Sequence, residues 1–377
     1  MKRSVLATTA GGAVLAMLAV AGCSSSKPAD AVSSATSAAG SVVSSATSAA
    51  GSVVSSITDS SSSSGMATSG SASSGSSSPS IVAPTKASKN YKIAFIQGVQ
   101  GDEFYITMQC GIEAEAKRLG VTVTTQGPKQ FDPTLQRPIL DSVVQTKPDA
   151  ILIAPTDVQA LQQPLADAAK SGIKIVLVDT TTQDPSFAVS QVSSDNVGGG
   201  AAAFKAIQEL SPNGGKVMVE SVNPGISTTD QRNEGFQNAV KADSKFTSVG
   251  VQYSKDDPAT ATQQVAAQLQ KDPDLVGVFG ANLFAAEGAA TAVRQSGKTN
   301  QVKIVGFDAG PGQVKDLKGG IVQALVAQQP GQIGTYGLDQ AVAALDGGQV
   351  TPKIQTGFTI LTKDNVDSSG AAYKASC

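Results

Sequence analysis

Short apolar runs alternate with helical stretches along most of the chain. From Lys89 onward, each run of β-branched and other apolar residues is separated from the next by a turn or a helical stretch of roughly 10 to 17 residues. Apolar strands separated by helices are typical of a parallel sheet that is covered on both faces. The runs are YKIAFIQG, VTVTTQ, DAILIAP, IKIVLVD, GKVMVES, DLVGVFG and VKIVGFD. The pattern predicts an α/β fold.

Three Asp-Pro pairs mark predicted helix starts. An Asp side chain can accept a hydrogen bond from the first turn of a helix, and Pro is well tolerated in that turn because it has no N–H to leave unpaired. The pairs are Asp132–Pro133, Asp257–Pro258 and Asp272–Pro273.

Residues 89–377 carry more strands than one sheet comfortably holds. Single hydrophobic cores stop growing at about 250–300 residues, and domains of about 100–150 residues are the most common size. We therefore expect two α/β lobes.

The composition excludes several classes of protein. The sequence contains no His, which removes the commonest general base, the common catalytic triads and imidazole metal ligands. Its formal net charge is -2 with no basic patch, which argues against nucleic-acid binding. The glycines of IQGVQGDEF lack the G-x-G-x-x-G spacing of NAD-dependent oxidoreductases. We expect a protein that is not an enzyme and has no cofactor and no metal site.

The first 22 residues are predicted to be a signal peptide. A positively charged N-terminal region, MKR, precedes a short apolar stretch. The stretch ends in LAVAGC, and this sequence of small residues before a Cys resembles a bacterial lipobox. This resemblance implies cleavage before Cys23 and lipid attachment to Cys23, and hence anchoring to the membrane. The alternative is an ordinary secretory signal followed by an incidental Cys.

Residues 23–88 are predicted to be a lipidated Cys followed by a flexible tether. Their composition is dominated by Ser, Ala, Gly, Thr and Val. Such a segment buries too little apolar area to offset the entropy of ordering it.

Chemically informative side chains follow several predicted strands. In parallel α/β folds, ligands bind in the crevice beyond the carboxyl ends of the strands. Carboxylate, amide and guanidinium groups can pair the hydroxyls of a sugar, and an aromatic face can pack on its C–H face. The pattern predicts a site for a small polyhydroxylated ligand. The strand-end residues are Asp102, Phe104, Tyr105, Asp179, Asn282, Asp308 and Gln328, and Arg232 lies apart in a helical stretch.

Each of these residues also has a purely structural interpretation. Phe104 and Tyr105 could enter the core, and Arg232 could be a surface partner of Asp230 or Glu234. The remaining interpretations are a helix N-cap for Asp102, turn positions for Asp179 and Asp308, a left-handed turn for Asn282 and a solvated hinge position for Gln328.

Residues 90 to 362 resemble the ribose-type periplasmic binding proteins of ABC importers. The resemblance implies two Rossmann-like lobes with parallel sheets, joined by three hinge strands, that close around a sugar-sized ligand. The matching stretches, in order, are GDEFYITMQCGIEAEAKRLG, ILIAPTD, VLVDTTT, SSDNVGGGAAA, STTDQRNEGFQNAV, VFGANLFAAEGA, IVGFDAGPGQV and AQQPGQIG.

The resemblance also assigns the candidate residues to the lobes. It implies that lobe 1 comprises residues 89–194 plus 328–356, and lobe 2 residues 195–327 plus 357–377. The first lobe would contribute Asp102, Phe104, Tyr105 and Asp179, the second Arg232, Asn282 and Asp308, and the hinge Gln328.

Two positions depart from the family pattern. Thr180 stands where the ribose proteins carry Arg, and SKDDPA, with Asp256 or Asp257 nearest, stands where they present a Phe from the second lobe. These departures put ribose itself in doubt, and Phe284 is a candidate for a substitute ring.

These observations together predict an extracytoplasmic, lipid-anchored, monomeric solute-binding protein. It would capture a sugar or polyol and deliver it to an ABC permease with its cytoplasmic ATPase. The alternative is a receptor that presents a small molecule to a membrane signalling protein. A regulator of the Lac-repressor type shares such lobes, but it would carry a helix-turn-helix where this chain has the lipobox and the Ser-rich segment.

After lipidation of Cys23, two cysteines remain, Cys110 and Cys377. In an oxidising compartment they can form a disulfide that draws the C-terminal tail back onto the fold. The alternative is two independent thiols, with Cys110 buried.

Overall fold

A computed structural model describes residue 81 and residues 83–377. The predicted signal peptide and Cys23 lie outside these residues, as does most of the predicted tether. The end of the tether is described and contacts the folded part, since the Ala87 amide donates to Leu119 O at 3.0 Å.

The elements alternate along the chain as the apolar pattern predicts. The strands are β1 (Lys92–Ile96), β2 (Thr122–Gln126), β3 (Ala150–Ile153), β4 (Lys174–Val178), β5 (Ser190–Ser194), β6 (Gly215–Ser221), β7 (Phe246–Tyr253), β8 (Leu275–Gly280), β9 (Lys303–Phe307), β10 (Ala324–Ala327), β11 (Lys353–Thr356) and β12 (Thr359–Leu361). The helices are α1 (Glu103–Leu119), α2 (Pro133–Gln145), α3 (Gln162–Lys170), α4 (Asn196–Leu210), α5 (Ser227–Lys241), α6 (Pro258–Lys271), α7 (Leu283–Gln295), α8 (Pro311–Lys318) and α9 (Pro330–Leu345).

The first sheet is parallel throughout, in the order β11-β5-β4-β3-β1-β2. Its inner strand β3 has four apolar residues, all buried, because helices cover both faces of the sheet. The edge strand β2, with the sequence TVTTQ, alternates between exposed and half-buried positions. Helices α1 and α9 pack together on one face, and α2 and α3 lie on the other.

The second sheet has the order β12-β10-β9-β8-β6-β7 and is parallel except for β12, which pairs antiparallel with β10. Helices α4 and α5 pack together on one face, and α6 and α7 on the other. A cluster of five phenylalanines fills the α4–α5 side of the core, where the first lobe uses aliphatic residues. These are Phe204, Phe236, Phe246, Phe279 and Phe307. The predicted α/β class with two sheets is confirmed.

The backbone passes between the sheets at three places along its helices and strands. These are the junctions of β5 with α4, of β10 with α9 and of β11 with β12. The junctions are bonded to one another: the Asp195 amide donates to Thr356 O at 2.9 Å, and the Ser194 hydroxyl donates to Gln328 Oε1 at 2.7 Å. They form a hinge of neighbouring segments.

The C-terminal tail returns to the first lobe. The structure joins Cys110 on α1 to Cys377 by a disulfide, with 5.2 Å between the Cα atoms. Residues 357–377 were expected to belong to the second lobe, and their last residues thus reach α1 of the first.

The Asp-Pro pairs have two different outcomes. Asp132 and Asp257 cap α2 and α6, and each carboxylate accepts a bond from a first-turn amide. The prediction for Asp272–Pro273 is wrong, because α6 ends there and strand β8 follows. Asp272 caps the end of α6 and pairs with Lys216 at 2.6 Å. Among the described residues, no helix combines the length and apolar character needed to cross a membrane.

Candidate functional site

One cleft lies between the carboxyl ends of the two sheets, and all eight predicted site residues line it. The empty space between the lining side chains is about 390 Å³, including the opening to solvent. The lining residues are Asp102, Phe104, Tyr105, Phe131, Asp179, Val222, Ile226, Thr228, Thr229, Arg232, Asp256, Asn282, Asp308 and Gln328.

Aromatic rings form much of the first lobe's wall. Phe104 and Tyr105 lie in the first turn of α1 and meet edge to face, with ring centroids 5.1 Å apart. Both are almost fully buried and pack in the core of the first lobe, and both also line the cleft. The core interpretation and the site interpretation therefore both apply to them. Phe131, just before the N-cap of α2, adds a third ring.

Two aspartates complete this wall. Asp102 is the N-cap of α1, and its Oδ1 accepts a bond from the Phe104 amide at 2.7 Å. Asp179 follows β4 and accepts a bond from the Tyr105 hydroxyl at 2.7 Å. Burial raises the pKa of Asp179 to about 6, although Arg232 and the Tyr105 bond act in the opposite direction.

Arg232 lies on α5 and lines the cleft from the second lobe. It is only 3% exposed, which excludes the surface interpretation. Its Nε donates to Asn196 Oδ1 and its Nη1 to Ala281 O, both at 2.9 Å. The guanidinium lies over the Phe307 ring, 3.8 Å from its centroid, a cation–π contact that holds it in one orientation.

Asp308 and Gln328 form a bonded pair where the second lobe meets the hinge. Gln328 Nε2 donates to Asp308 Oδ1 at 2.7 Å, and the Tyr373 hydroxyl donates to the same oxygen at 3.1 Å. Burial raises the pKa of Asp308, against the lowering effect of Arg232 and of these two bonds. Gln328 is buried, not solvated.

Asn282 and Asp256 form a second pair on the same wall. Asn282 is the N-cap of α7 with extended backbone, so the left-handed interpretation is wrong for it. Its Nδ2 donates to Asp256 Oδ1 at 2.6 Å. Burial raises the pKa of Asp256 to about 6, and the Asn282 bond opposes that shift.

Three of the cleft aspartates have left-handed backbone. Their φ angles are 64° for Asp179, 62° for Asp256 and 79° for Asp308. Asp tolerates this conformation better than most residues. Asp179 and Asp308 therefore occupy turns, as the structural interpretation predicted, and they also line the cleft. Left-handed backbone at residues other than Gly is a recurrent feature of functional sites.

Three of the cleft carboxylates share one arrangement. In the described part of the chain, Asp102, Asp179 and Asp256 each use one oxygen for the hydrogen bonds given above, and the second oxygen has no donor within hydrogen-bond distance. Each of these three can therefore accept a hydrogen bond from a ligand. Asp308 differs, because the backbone amide of Leu283 bonds to it in addition to Gln328 and Tyr373.

The two walls contact each other directly beside the cleft. The Val158 amide donates to Gly225 O at 3.1 Å, and the Thr181 amide donates to Ser227 Oγ at 2.9 Å. Each bond joins a loop of the first lobe to a residue of the second.

The departures from the family pattern have definite outcomes. Thr180 does not line the cleft, because its hydroxyl donates to Pro155 O at 2.7 Å. Of the two aspartates in SKDDPA, Asp256 lines the cleft and Asp257 caps α6.

Some lining residues were not predicted. Phe284 of the second lobe is not among the lining residues, whereas Phe131 of the first lobe is one of them. The sequence signal for Phe131 was its position beside the helix N-cap Asp132. Four other lining residues were missed: Thr228 and Thr229 lie in the matching stretch STTDQRNEGFQNAV, from which only Arg232 was selected, and no motif marks Val222 and Ile226. The described residues contain no group of three His, Cys, Asp or Glu side chains that could hold a metal ion.

Comparison with known proteins places this architecture in a family. Residues 93–349 match the family model described as a periplasmic binding protein domain. The chain is also 31% identical over 275 residues to the ribose import binding protein RbsB of Bacillus subtilis, which covers 73% of this chain and 88% of the relative. The chain belongs to the ribose-type periplasmic binding proteins.

Further relatives of this binding protein bind different sugars. It is 31% identical over 280 residues to the D-allose-binding periplasmic protein of Escherichia coli, covering 72% of this chain and 90% of the relative. A solved ABC transporter solute-binding protein from Agrobacterium vitis, bound with alpha-D-tagatopyranose, is 41% identical with a TM-score of 0.74. That match covers 76% of this chain and all of the solved one. The family consists of sugar-binding transport proteins, and this member is a binding protein, not an enzyme.

Proposed function

We propose that this periplasmic binding protein captures a monosaccharide or similar polyol outside the cytoplasm and delivers it to an ABC permease. One observation carries the proposal: eight predicted residues, drawn from both lobes and the hinge, converge on one cleft between the lobes. The three relatives named above bind ribose, allose and tagatopyranose, which supports a ligand of five or six carbons.

The cleft groups match the chemistry of a sugar ring. Sugar hydroxyls donate to the free oxygens of the carboxylates of the cleft, those of Asp102, Asp179 and Asp256, and Arg232 donates to a hydroxyl or ring oxygen. The rings of Phe104 and Tyr105 face the C–H groups of the ligand. Because these buried groups leave some hydrogen-bonding capacity unused, a ligand that lacks the matching hydroxyls is disfavoured.

Hinge closure couples binding to recognition by the permease. A ligand between the walls contacts both lobes only when they are closed, so it shifts the population toward the closed form. The bonds from Val158 to Gly225 and from Thr181 to Ser227 form across the cleft mouth in that form. The permease then reads the relative position of the two lobes of a single monomer.

A thermal-shift screen tests the sugar assignment. The protein is heated with D-tagatose, D-allose, D-ribose, other pentoses and hexoses, and open-chain polyols. A ligand at about 100 times its dissociation constant adds roughly 2.7 kcal/mol to the free energy of unfolding, which is readily seen as a raised melting temperature. Failure of every sugar and polyol, with amino acids or nucleosides active instead, would contradict the proposal. Uptake of the active sugar by cells with and without the gene then tests delivery.

The membrane anchor is a separate part of the proposal. The stretch LAVAGC supports lipidation of Cys23, which would hold the protein at the outer face of the cell membrane. The mature protein should then partition into the detergent phase of Triton X-114, and Cys23→Ser should move it to the aqueous phase. Equal partitioning of both proteins would rule out the lipid.

A further inference from the structure

The C-terminal tail places a tyrosine directly behind the cleft. Tyr373 is only 6% exposed, and its ring lies 6.0 Å from the Phe104 ring, centroid to centroid. Its hydroxyl donates to Asp308 Oδ1 at 3.1 Å and accepts a bond from the backbone N–H of Gln328 at 3.0 Å. Tyr373 therefore contacts three cleft residues without lining the cleft itself.

The tail is attached to both lobes within five residues. The Tyr373 amide donates to Ala309 O of the second lobe at 2.9 Å. The next amide, that of Lys374, donates to Thr107 Oγ1 on α1 of the first lobe at 2.7 Å. Three residues later, Cys377 is bonded to Cys110 on the same helix. The tail thus crosses between the lobes in addition to the three hinge junctions.

This attachment has a mechanical consequence. If the lobes separate, Lys374 and Cys377 move with α1, whereas Asp308 and Ala309 move with the second sheet. Tyr373 lies between these two groups, so opening either stretches the short segment or breaks the bonds of its hydroxyl. A disulfide keeps the far end of the segment from detaching.

We propose that Tyr373 is a positioning residue for Asp308 and Gln328, and that the disulfide-bonded tail is a fourth connection between the lobes that keeps it in place. The hydroxyl fixes the orientation of the Asp308 carboxylate at the cleft wall, and it accepts a bond from the buried backbone N–H of Gln328. The effect on ligand binding rests on the proposed function, but the orientation of Asp308 and the attachment of the tail do not.

Three matched variants separate the effect of the Tyr373 hydroxyl from the effect of the disulfide and from the effect of removing any tyrosine hydroxyl. Tyr373→Phe keeps the ring beside Phe104 and removes the hydroxyl. The double variant Cys110→Ser/Cys377→Ser keeps the tail sequence and removes the covalent link. Tyr336→Phe is the control, because the Tyr336 hydroxyl accepts a bond from Gln332 Nε2 on α9, away from the cleft.

The first measurement needs no ligand. In the full chain labelled with carboxyl-¹³C aspartate, Asp308→Asn identifies the Asp308 signal, and its titration is followed in each variant. Loss of a donor to a carboxylate raises its pKa. Tyr373→Phe should therefore move the Asp308 midpoint upward, the double Ser variant should move it in the same direction by less, and Tyr336→Phe should leave it unchanged. Hydrogen exchange of the peptide containing Gln328 should accelerate in the same order.

The second measurement is a calorimetric titration with D-tagatose, D-allose and D-ribose. For any of these that binds the wild type, Tyr373→Phe should weaken binding about tenfold, the typical effect of losing one hydrogen bond to a charged group. Tyr336→Phe should not change it. If none of them binds the wild type, the proposed ligand class is in error, while the titration and exchange results still decide the role of Tyr373.

Two results would overturn the inference. An Asp308 midpoint and a Gln328 exchange rate that are the same in Tyr373→Phe and the wild type would show that the hydroxyl positions nothing. If the double Ser variant shows wild-type exchange throughout residues 366–377, the disulfide does not hold the tail.

Discussion

The two walls of the cleft offer a ligand different chemistry. The first lobe presents three aromatic rings and two carboxylates, from Asp102, Phe104, Tyr105, Phe131 and Asp179. The second lobe presents an arginine, an amide and two carboxylates beside threonine hydroxyls and two aliphatic side chains, and its lining residues include no ring. A sugar has apolar C–H faces and polar edges, so the first wall suits a face and the second suits the edges.

An aspartate follows the equivalent strand in each of the two sheets. Asp179 follows β4 and Asp308 follows β9, which occupy equivalent places in the two sheet orders. Each amide donates to the neighbouring strand, to Val192 O and Val326 O respectively, and each residue has left-handed backbone. Their partners differ, because Asp179 is held by Tyr105 within its own lobe and Asp308 by groups from the hinge and the tail.

The largest expected effect comes from removing the cation of the second wall. Arg232→Met should lower the melting temperature, because it leaves Asn196 Oδ1 and Ala281 O unpaired. It should also weaken ligand binding by about 100-fold or more, because each hydrogen bond that the charged guanidinium donates to the ligand is worth about 1.5–3 kcal/mol. Calorimetry measures the loss. Arg294→Met, which removes an exposed partner of Asp316, is the control and should bind normally.

The next effect tests the rings of the first wall. Phe104→Ala should weaken binding by about 1–3 kcal/mol, the range for an aromatic contact at a binding site. It should also lower the melting temperature of the ligand-free protein, since truncating a buried Phe costs about 3–5 kcal/mol. Phe204→Ala, in the phenylalanine core of the second lobe, should lower the melting temperature with unchanged affinity. Equal affinity losses in the two variants would remove the distinction between wall and core.

A smaller effect tests the amide of the second wall. Asn282→Ser retains an N-cap residue for α7 but removes the donor to Asp256. We expect affinity to fall about tenfold with little change in melting temperature, because a single hydrogen bond is lost. A large fall in stability with normal affinity would assign Asn282 to capping alone.

The smallest effect is a pH dependence that separates binding from folding. The pKa values of Asp179 and Asp256 are raised to about 6 by burial, above the usual value of about 3.9 in an unfolded chain. A raised carboxyl pKa contributes stability that is fully present below pH 4 and is lost as pH rises through about 6. Affinity should change in the opposite direction, because hydroxyls donate better to an ionised carboxylate.

The measurement for this prediction is a pair of pH series from 4.5 to 7.5. Affinity should rise severalfold across the series while the stability of the ligand-free protein falls. The other ionisable groups at the cleft are Asp102, Asp308, Tyr105 and Arg232, so the contribution of Asp179 is taken as the difference from Asp179→Asn. The prediction fails if the wild type and this variant give parallel curves.

The sequence predicted the framework better than the details of the cleft. Apolar runs such as AILI of β3 can be recognised as strands from the sequence, because a strand covered on both faces needs apolar residues throughout. The pair Asp272–Pro273 was misread because Pro is also common directly after the end of a helix, as it is after α6. Phe284 was proposed because it neighbours Asn282 along the chain, but it is not among the lining residues, since the lining depends on how the loops fold over the cleft.

What the sequence determined by itself is local: the succession of strands and helices, the caps at Asp132 and Asp257 and the kinds of side chain that follow each strand. These depend on residues within a few positions of one another. The tertiary structure alone decided which side chains meet. Tyr105 and Asp179 are 74 residues apart, and Tyr373 and Asp308 are 65 apart. Such pairs form only after burial of the apolar strands has set the sheet order and the hinge has brought two separate strand ends together.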